Sequence, residues 1–298
     1  MRFILDFIKG IFIGVANIIP GVSGGTMAVS MGIYDKVVGS INNLTKNFKK
    51  AFITLLPILI GMVAGIGGFS LIIPYCLDNF AFQTCMCFCG LIIGGIPEMI
   101  DNTRAALTKE QKKINPAHII AFIVLLAVAV FMAVANPSST GADEITIDFF
   151  MIVKLIGLGA IASATMVIPG VSGSLMLMML GYYSGIVGTV SALLIAIKSL
   201  DSGAIGHCIL VLLPFGIGCV LGILLISKLI TWLLKKFESV TYCAILGLVI
   251  ASPFAILYKM NNPSFAPVSI IAGIVLLIAS AAFTYFFGKK TKEKQKII

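Results

Sequence analysis

Six apolar runs in this 298-residue chain are each long enough to cross a bilayer: about 51–75, 80–100, 118–135, 207–234, 240–258 and 267–288. A crossing needs about 20 residues. In hydrocarbon each backbone N–H and C=O must be satisfied inside its own segment, so such runs become helices. Composition removes the soluble alternative: charged residues are 11% of the chain, against roughly 25% in soluble domains. The mean hydropathy of +1.10 also excludes a disordered chain. Seven Cys, an odd number, are too few for a disulfide scaffold. The net charge of +9 does not point to nucleic acid, because Lys and Arg sit in short clusters between apolar runs. The opening MRFILDFIKG is interrupted by an Asp and no small-residue cleavage site follows, so a cleaved signal peptide is not expected.

Two stretches, 3–41 and 148–197, are pairs of apolar arms joined by a Pro-Gly break. The first break reads Ile19-Pro20-Gly21-Val22-Ser23-Gly24-Gly25-Thr26; the second reads Ile168-Pro169-Gly170-Val171-Ser172-Gly173-Ser174. With 19–34 laid over 168–183, nine of 16 positions are identical, including Gly32/Gly181 and Tyr34/Tyr183. Further on, LLPILIGMVAGI (55–66) matches LLPFGIGCVLGI (212–223) at eight of 12 positions. The chain is therefore read as a duplication of 1–140 and 141–298 within one integral-membrane domain, joined at the acidic loop near 136–147.

Charge sets the orientation. With a cytoplasmic N-terminus and each broken pair returning to its side of entry, 17 of the 21 basic residues fall inside, and the C-terminus is cytoplasmic. Each half then holds a re-entrant helix pair plus three crossings. Three is odd, so the halves are inverted. The expected fold is an all-α polytopic membrane protein of two inverted repeats, a pattern typical of secondary transporters.

Broken backbone at membrane depth must be buried in protein or line a polar cavity. Two motifs dipping from opposite sides would meet near the midplane. Each would open a second arm near Val22 or Val171, where a helix N-terminus offers free N–H groups to an anion such as phosphate. Gly21, Gly24, Gly25, Gly170 and Gly173 allow close approach of the backbone. Ser23, Thr26, Ser172 and Ser174 add hydroxyls, and Asn17 an amide; the counterpart of Asn17 is Met166. The competing explanation is that small residues merely permit tight helix packing.

The paired motifs, AN-x-IPGVSGGT followed by G-x-Y and IPGVSGS followed by GYY, resemble those of the PopT-type polyprenyl-phosphate transporters. The resemblance covers essentially the whole chain. It implies a bacterial cytoplasmic-membrane protein that returns undecaprenyl phosphate from the outer to the inner leaflet. Carried over by position, the motif residues are Asn17, Pro20, Gly21, Ser23, Gly24, Gly25, Thr26, Gly32 and Tyr34, then Pro169, Gly170, Ser172, Gly173, Ser174, Gly181 and Tyr183.

Ionisable groups at membrane depth are functional candidates. Lys9 and Lys154 could each draw in a phosphate head group or snorkel to the interface, and Lys9 joins the expected binding set. Asp35-Lys36 could be an internal pair or two interfacial residues; Glu98, His118 and His207 are expected at the interface. Cys85 and Cys89 share a helix face and are read as small apolar groups, not metal ligands. No cofactor or metal is expected. An intramembrane lipid phosphatase using Ser23 or Ser172 would need a base beside the motif, and none recurs there. The alternative transporter reading takes a small soluble anion as cargo. Coupling to an ion is left open.

Overall fold

A computed structural model describes residues 2–19, 22–135, 147–260 and 265–296. Pro20, Gly21 and the acidic loop with Asp143 and Glu144 lie outside the described residues. The described chain is all helical: α1 (Arg2–Ala16), α2 (Gly24–Ser30), α3 (Tyr34–Asn43), α4 (Phe48–Phe69), α5 (Ile72–Asn79), α6 (Ala81–Lys109), α7 (Pro116–Val134), α8 (Phe149–Val167), α9 (Gly173–Met179), α10 (Tyr183–Ser199), α11 (Ser202–Lys236), α12 (Glu238–Tyr258) and α13 (Pro267–Lys296). Seven of these, α4, α6, α7, α8, α11, α12 and α13, are long and apolar enough to cross a membrane. The protein is a polytopic membrane protein. The six expected runs appear as α4, α6, α7, α11, α12 and α13, except that residues 72–75 of the first run belong to the separate α5.

Each broken arm pair is interrupted twice, not once. The second interruption falls at Gly32 and Gly181, which adopt φ of +64° and +77°. At the first, Ile33 N–H bonds Ala28 O at 3.0 Å and Gly32 N–H bonds Val29 O at 2.9 Å. At the second, Tyr182 N–H bonds Leu177 O at 3.0 Å and Gly181 N–H bonds Met178 O at 3.0 Å. Both are Schellman ends, in which a left-handed glycine satisfies the last carbonyls of the helix. After the second, the chain turns by 112° between α9 and α10.

The chain forms two compact units that cut across the sequence halves. The first holds residues 1–134, 168–171 and 228–298. In it α1 lies on α4 through two glycine pairs: a Cβ at Gly10 or Gly14 would strike the carbonyl of Ile58 or Met62, and one at Gly61 or Gly65 that of Phe7 or Ile11. Gly90 and Gly94 of α6 meet Leu277 and Ala281 of α13 in the same way. Spacing by four places both glycines of a pair on one face, so backbones approach closely without help from water. Cys85 and Cys89 are both buried there, as their shared face leads one to expect.

The second unit holds residues 135–167 and 172–227. Its α8 lies on α11 with Gly159, Gly218 and Gly222 against the backbone of Phe215, Ile156 and Ala160. Leu155, Leu158, Ala162, Leu177, Ile186 and Val211 form its apolar core. Gly10, Gly61 and Gly65 align with Gly159, Gly218 and Gly222, while Gly14 aligns with Ser163, so similar stretches of the two halves build a like helix–helix contact in each unit.

Candidate functional site

The described residues flanking the two Pro-Gly steps have like backbone. Val22 N–H returns to Ile19 O at 3.2 Å, and Val171 N–H to Ile168 O at 3.4 Å. Ser23 caps α2 at φ −102°, ψ 134°, and Ser172 caps α9 at φ −104°, ψ 120°. The first helical bonds are Met27 N–H to Ser23 O, 3.1 Å, and Met176 N–H to Ser172 O, 3.0 Å. Ahead of them, the N–H groups of Gly24, Gly25 and Thr26, and of Gly173, Ser174 and Leu175, have no acceptor within their own helix.

The hydroxyls distinguish the copies. Ser172 Oγ accepts Leu175 N–H at 3.4 Å and lies 2.9 Å from Ser174 Oγ. Ser23 Oγ makes no capping bond, is 6% exposed, and has no hydrogen-bond partner among the described residues. Leaving such a group unsatisfied costs about 1–3 kcal/mol, so a buried bare hydroxyl beside bare N–H groups marks a place where a ligand would recover energy.

Thr26 does something else. Fully buried, its Oγ1 accepts Gly170 N–H at 2.7 Å. It also lies 3.3 Å from Ser252 Oγ on α12, which in turn donates to Leu248 O at 3.1 Å. With the Ser252 proton so used, the Thr26 hydroxyl donates to Ser252. Gly170 has φ +75°, and a Cβ there would stand 2.8 Å from Leu248 O. Thr26 thus ties the first motif's helix to the second motif's turn, both of them in the first compact unit.

The remaining candidates fall into place around these. Asn17 is exposed, and its amide covers Gly24: a Cβ there would lie 2.7 Å from Asn17 Oδ1. In the other copy Met166 covers Gly173, as the alignment of Asn17 with Met166 leads one to expect. Gly25 is buried, and Val22 and Val171 are both core residues.

Lys9 is buried at 1% exposure, and its Nζ donates to Met31 O at 2.6 Å, at the end of α2 away from Ser23. Lys154 Nζ stands 4.7 Å from the centre of the Tyr182 ring. Asp35 and Lys36 do not pair with each other. Lys36 pairs with Asp6, while Tyr242 Oη donates to Asp35 at 2.6 Å. Glu98 is half-buried, and its carboxylate fills the space over Gly32 and beside Gly288.

His118 is buried in protein near the start of α7. At 2% exposure it bridges Asn115 Oδ1, 2.6 Å from Nδ1, and Ser239 Oγ, 2.9 Å from Nε2. Ser239 also gives its N–H and hydroxyl to Glu110. The Ser239 N–H above all, with its hydroxyl and Lys112, holds the Glu110 carboxyl down at about 2. Sequence reasoning did not find Ser252, Tyr242 or Ser239. Each is a polar residue in the otherwise apolar α12, which was the available signal.

Residues 13–266 match the undecaprenyl phosphate translocase-like family. The chain is 31% identical over 295 residues to a polyprenyl-phosphate transporter of Staphylococcus aureus, covering 98% of both chains. It is 28% identical over 269 residues to a polyprenyl-phosphate transporter of Vibrio cholerae, covering 85% of this chain and 77% of the relative. No solved structure matches it.

Proposed function

The chain belongs to the undecaprenyl phosphate translocase-like family, and on that premise we propose that it carries undecaprenyl phosphate from the outer to the inner leaflet of a bacterial cytoplasmic membrane. Both termini are cytoplasmic, by the distribution of Lys and Arg. The phosphate is held at the first motif by Ser23 Oγ and the N–H groups of Gly24 and Gly25, with the Asn17 amide beside them. Gly170 and Val171 are tied to that motif through Thr26. Ser172, Gly173 and Ser174 are the corresponding donors at the start of α9 in the second motif.

The observation that carries this reading is the buried Ser23 hydroxyl at the mouth of α2, which has no hydrogen-bond partner among the described residues. It supports binding over nucleophilic chemistry, since an activated serine needs a base within hydrogen-bond reach. Moving the anion inward opposes an inside-negative potential, at about 2.3 kcal/mol per charge per 100 mV, so a lipid gradient or a co-transported cation must drive it.

Ser23→Ala in proteoliposomes tests the assignment. Undecaprenyl phosphate binding and uptake should both fall about tenfold, in line with the loss of one hydrogen bond to a charged group. Unchanged affinity would overturn the Ser23 site.

A further inference from the structure

We propose that Lys9 and Glu98 are a charge couple that positions α2, and that Lys9 acts on the phosphate through this helix without touching it. The inference rests on the reading of the first motif as the phosphate site.

Three elements of the first compact unit close on the turn where α2 ends. From α1, Lys9 Nζ bonds the carbonyl of Met31, the C-cap of α2. That carbonyl is one of the orphan acceptors at a helix C-terminus, where a cation is stabilised. From α13, the Phe287 ring lies 5.7 Å from the same ammonium. From α6, Glu98 lies over the next residue: a Cβ on Gly32 would stand 2.6 Å from its Oε1, and one on Gly288 2.7 Å from its Oε2.

The charges acting on Lys9 are those of Glu98, Asp6 and Lys36. Asp6 and Lys36 pair with each other, so Glu98 is the carboxylate that balances Lys9. The seven residues of α2 span roughly 10 Å at 1.5 Å each, which keeps the ammonium away from Ser23. A lysine held this deep is costly unless partnered. Its partners are the end of the motif helix and the carboxylate beside it.

The sign of one substitution separates the two roles. If Lys9 bound phosphate, Glu98→Gln would remove a competing anion and tighten binding, while Lys9→Met would weaken it. A positioning couple predicts that both weaken undecaprenyl phosphate binding, each about tenfold. It also predicts that the double variant loses clearly less than the product of the two, and that maximal uptake at saturating lipid stays within about twofold in each. Thermal unfolding of each variant identifies any that fails to fold; where Lys9→Met fails, Lys9→Arg replaces it and is expected to bind within about threefold of the parent. Tighter binding by Glu98→Gln, or fully multiplicative losses, would overturn the couple. Ser23→Ala distinguishes the premise: normal binding there sinks the motif site, whatever the Lys9 and Glu98 variants do.

Discussion

Thr26→Val removes a single hydroxyl at the junction of the two motifs and leaves the side-chain shape almost unchanged. Two bonds go with it. The Gly170 N–H, now 2.7 Å from Thr26 Oγ1, is left without that acceptor, and an orphaned buried donor costs about 1–3 kcal/mol. The 3.3 Å bond to Ser252 is also lost, and hydroxyl bonds between membrane helices average about 0.6 kcal/mol. Together these come to about 2–4 kcal/mol. Ser252→Ala is the internal control. It removes the smaller bond and keeps Thr26 on Gly170, so it should cost under about 1 kcal/mol. Equilibrium unfolding in mixed micelles, followed by helical circular dichroism, measures both. If Thr26→Val proves no more costly than Ser252→Ala, another group takes the Gly170 N–H, and Thr26 is not what ties the motifs together.

The glycines at the two helix starts should behave differently. Gly24→Ala meets the Asn17 side chain first, which can rotate, so it should fold normally and bind undecaprenyl phosphate at least fivefold more weakly. Gly173→Ala meets the Ala162 carbonyl at 2.6 Å and should lower the unfolding temperature; equal melting temperatures for the two would contradict this contrast. The Glu110 carboxyl, pulled from 4.5 to about 2 by Ser239 and Lys112, contributes stability that is present above pH 4.5 and is lost as pH falls towards 2. Glu110→Gln should therefore narrow the difference in melting temperature between pH 7 and pH 3, and an unchanged difference would refute that contribution.

Much of this protein is decided by residue order alone. Apolar runs of bilayer length with few charges must be helices, because hydrocarbon offers the backbone no other partner. The repeated Pro-Gly-Val-Ser-Gly favours a break, since Pro lacks the N–H and each Gly weakens a helix, although Pro57, Pro97, Pro214 and Pro253 each sit inside one. Those local facts placed Ser23 and Ser172 at helix starts, and the alignment put Met166 over Gly173 where Asn17 covers Gly24. The Schellman ends at Gly32 and Gly181 were also local, and readable in principle from a glycine following an apolar stretch.

What tertiary structure decided is which polar atoms find each other across helices. Thr26 and Ser23 are three residues apart and alike in chemistry, yet Thr26 is taken by Gly170 and Ser252, 144 and 226 residues away, while Ser23 finds no partner among the described residues. Lys9 is read from sequence as a charge for phosphate, and packing sets the Met31 carbonyl 2.6 Å from its ammonium. Glu98 meets Gly288 of α13 and His118 meets Ser239 of α12 only through packing. A residue's depth and turn chemistry follow from its neighbours in the chain, but a hydrogen bond needs a partner within about 3 Å, and only packing supplies that partner.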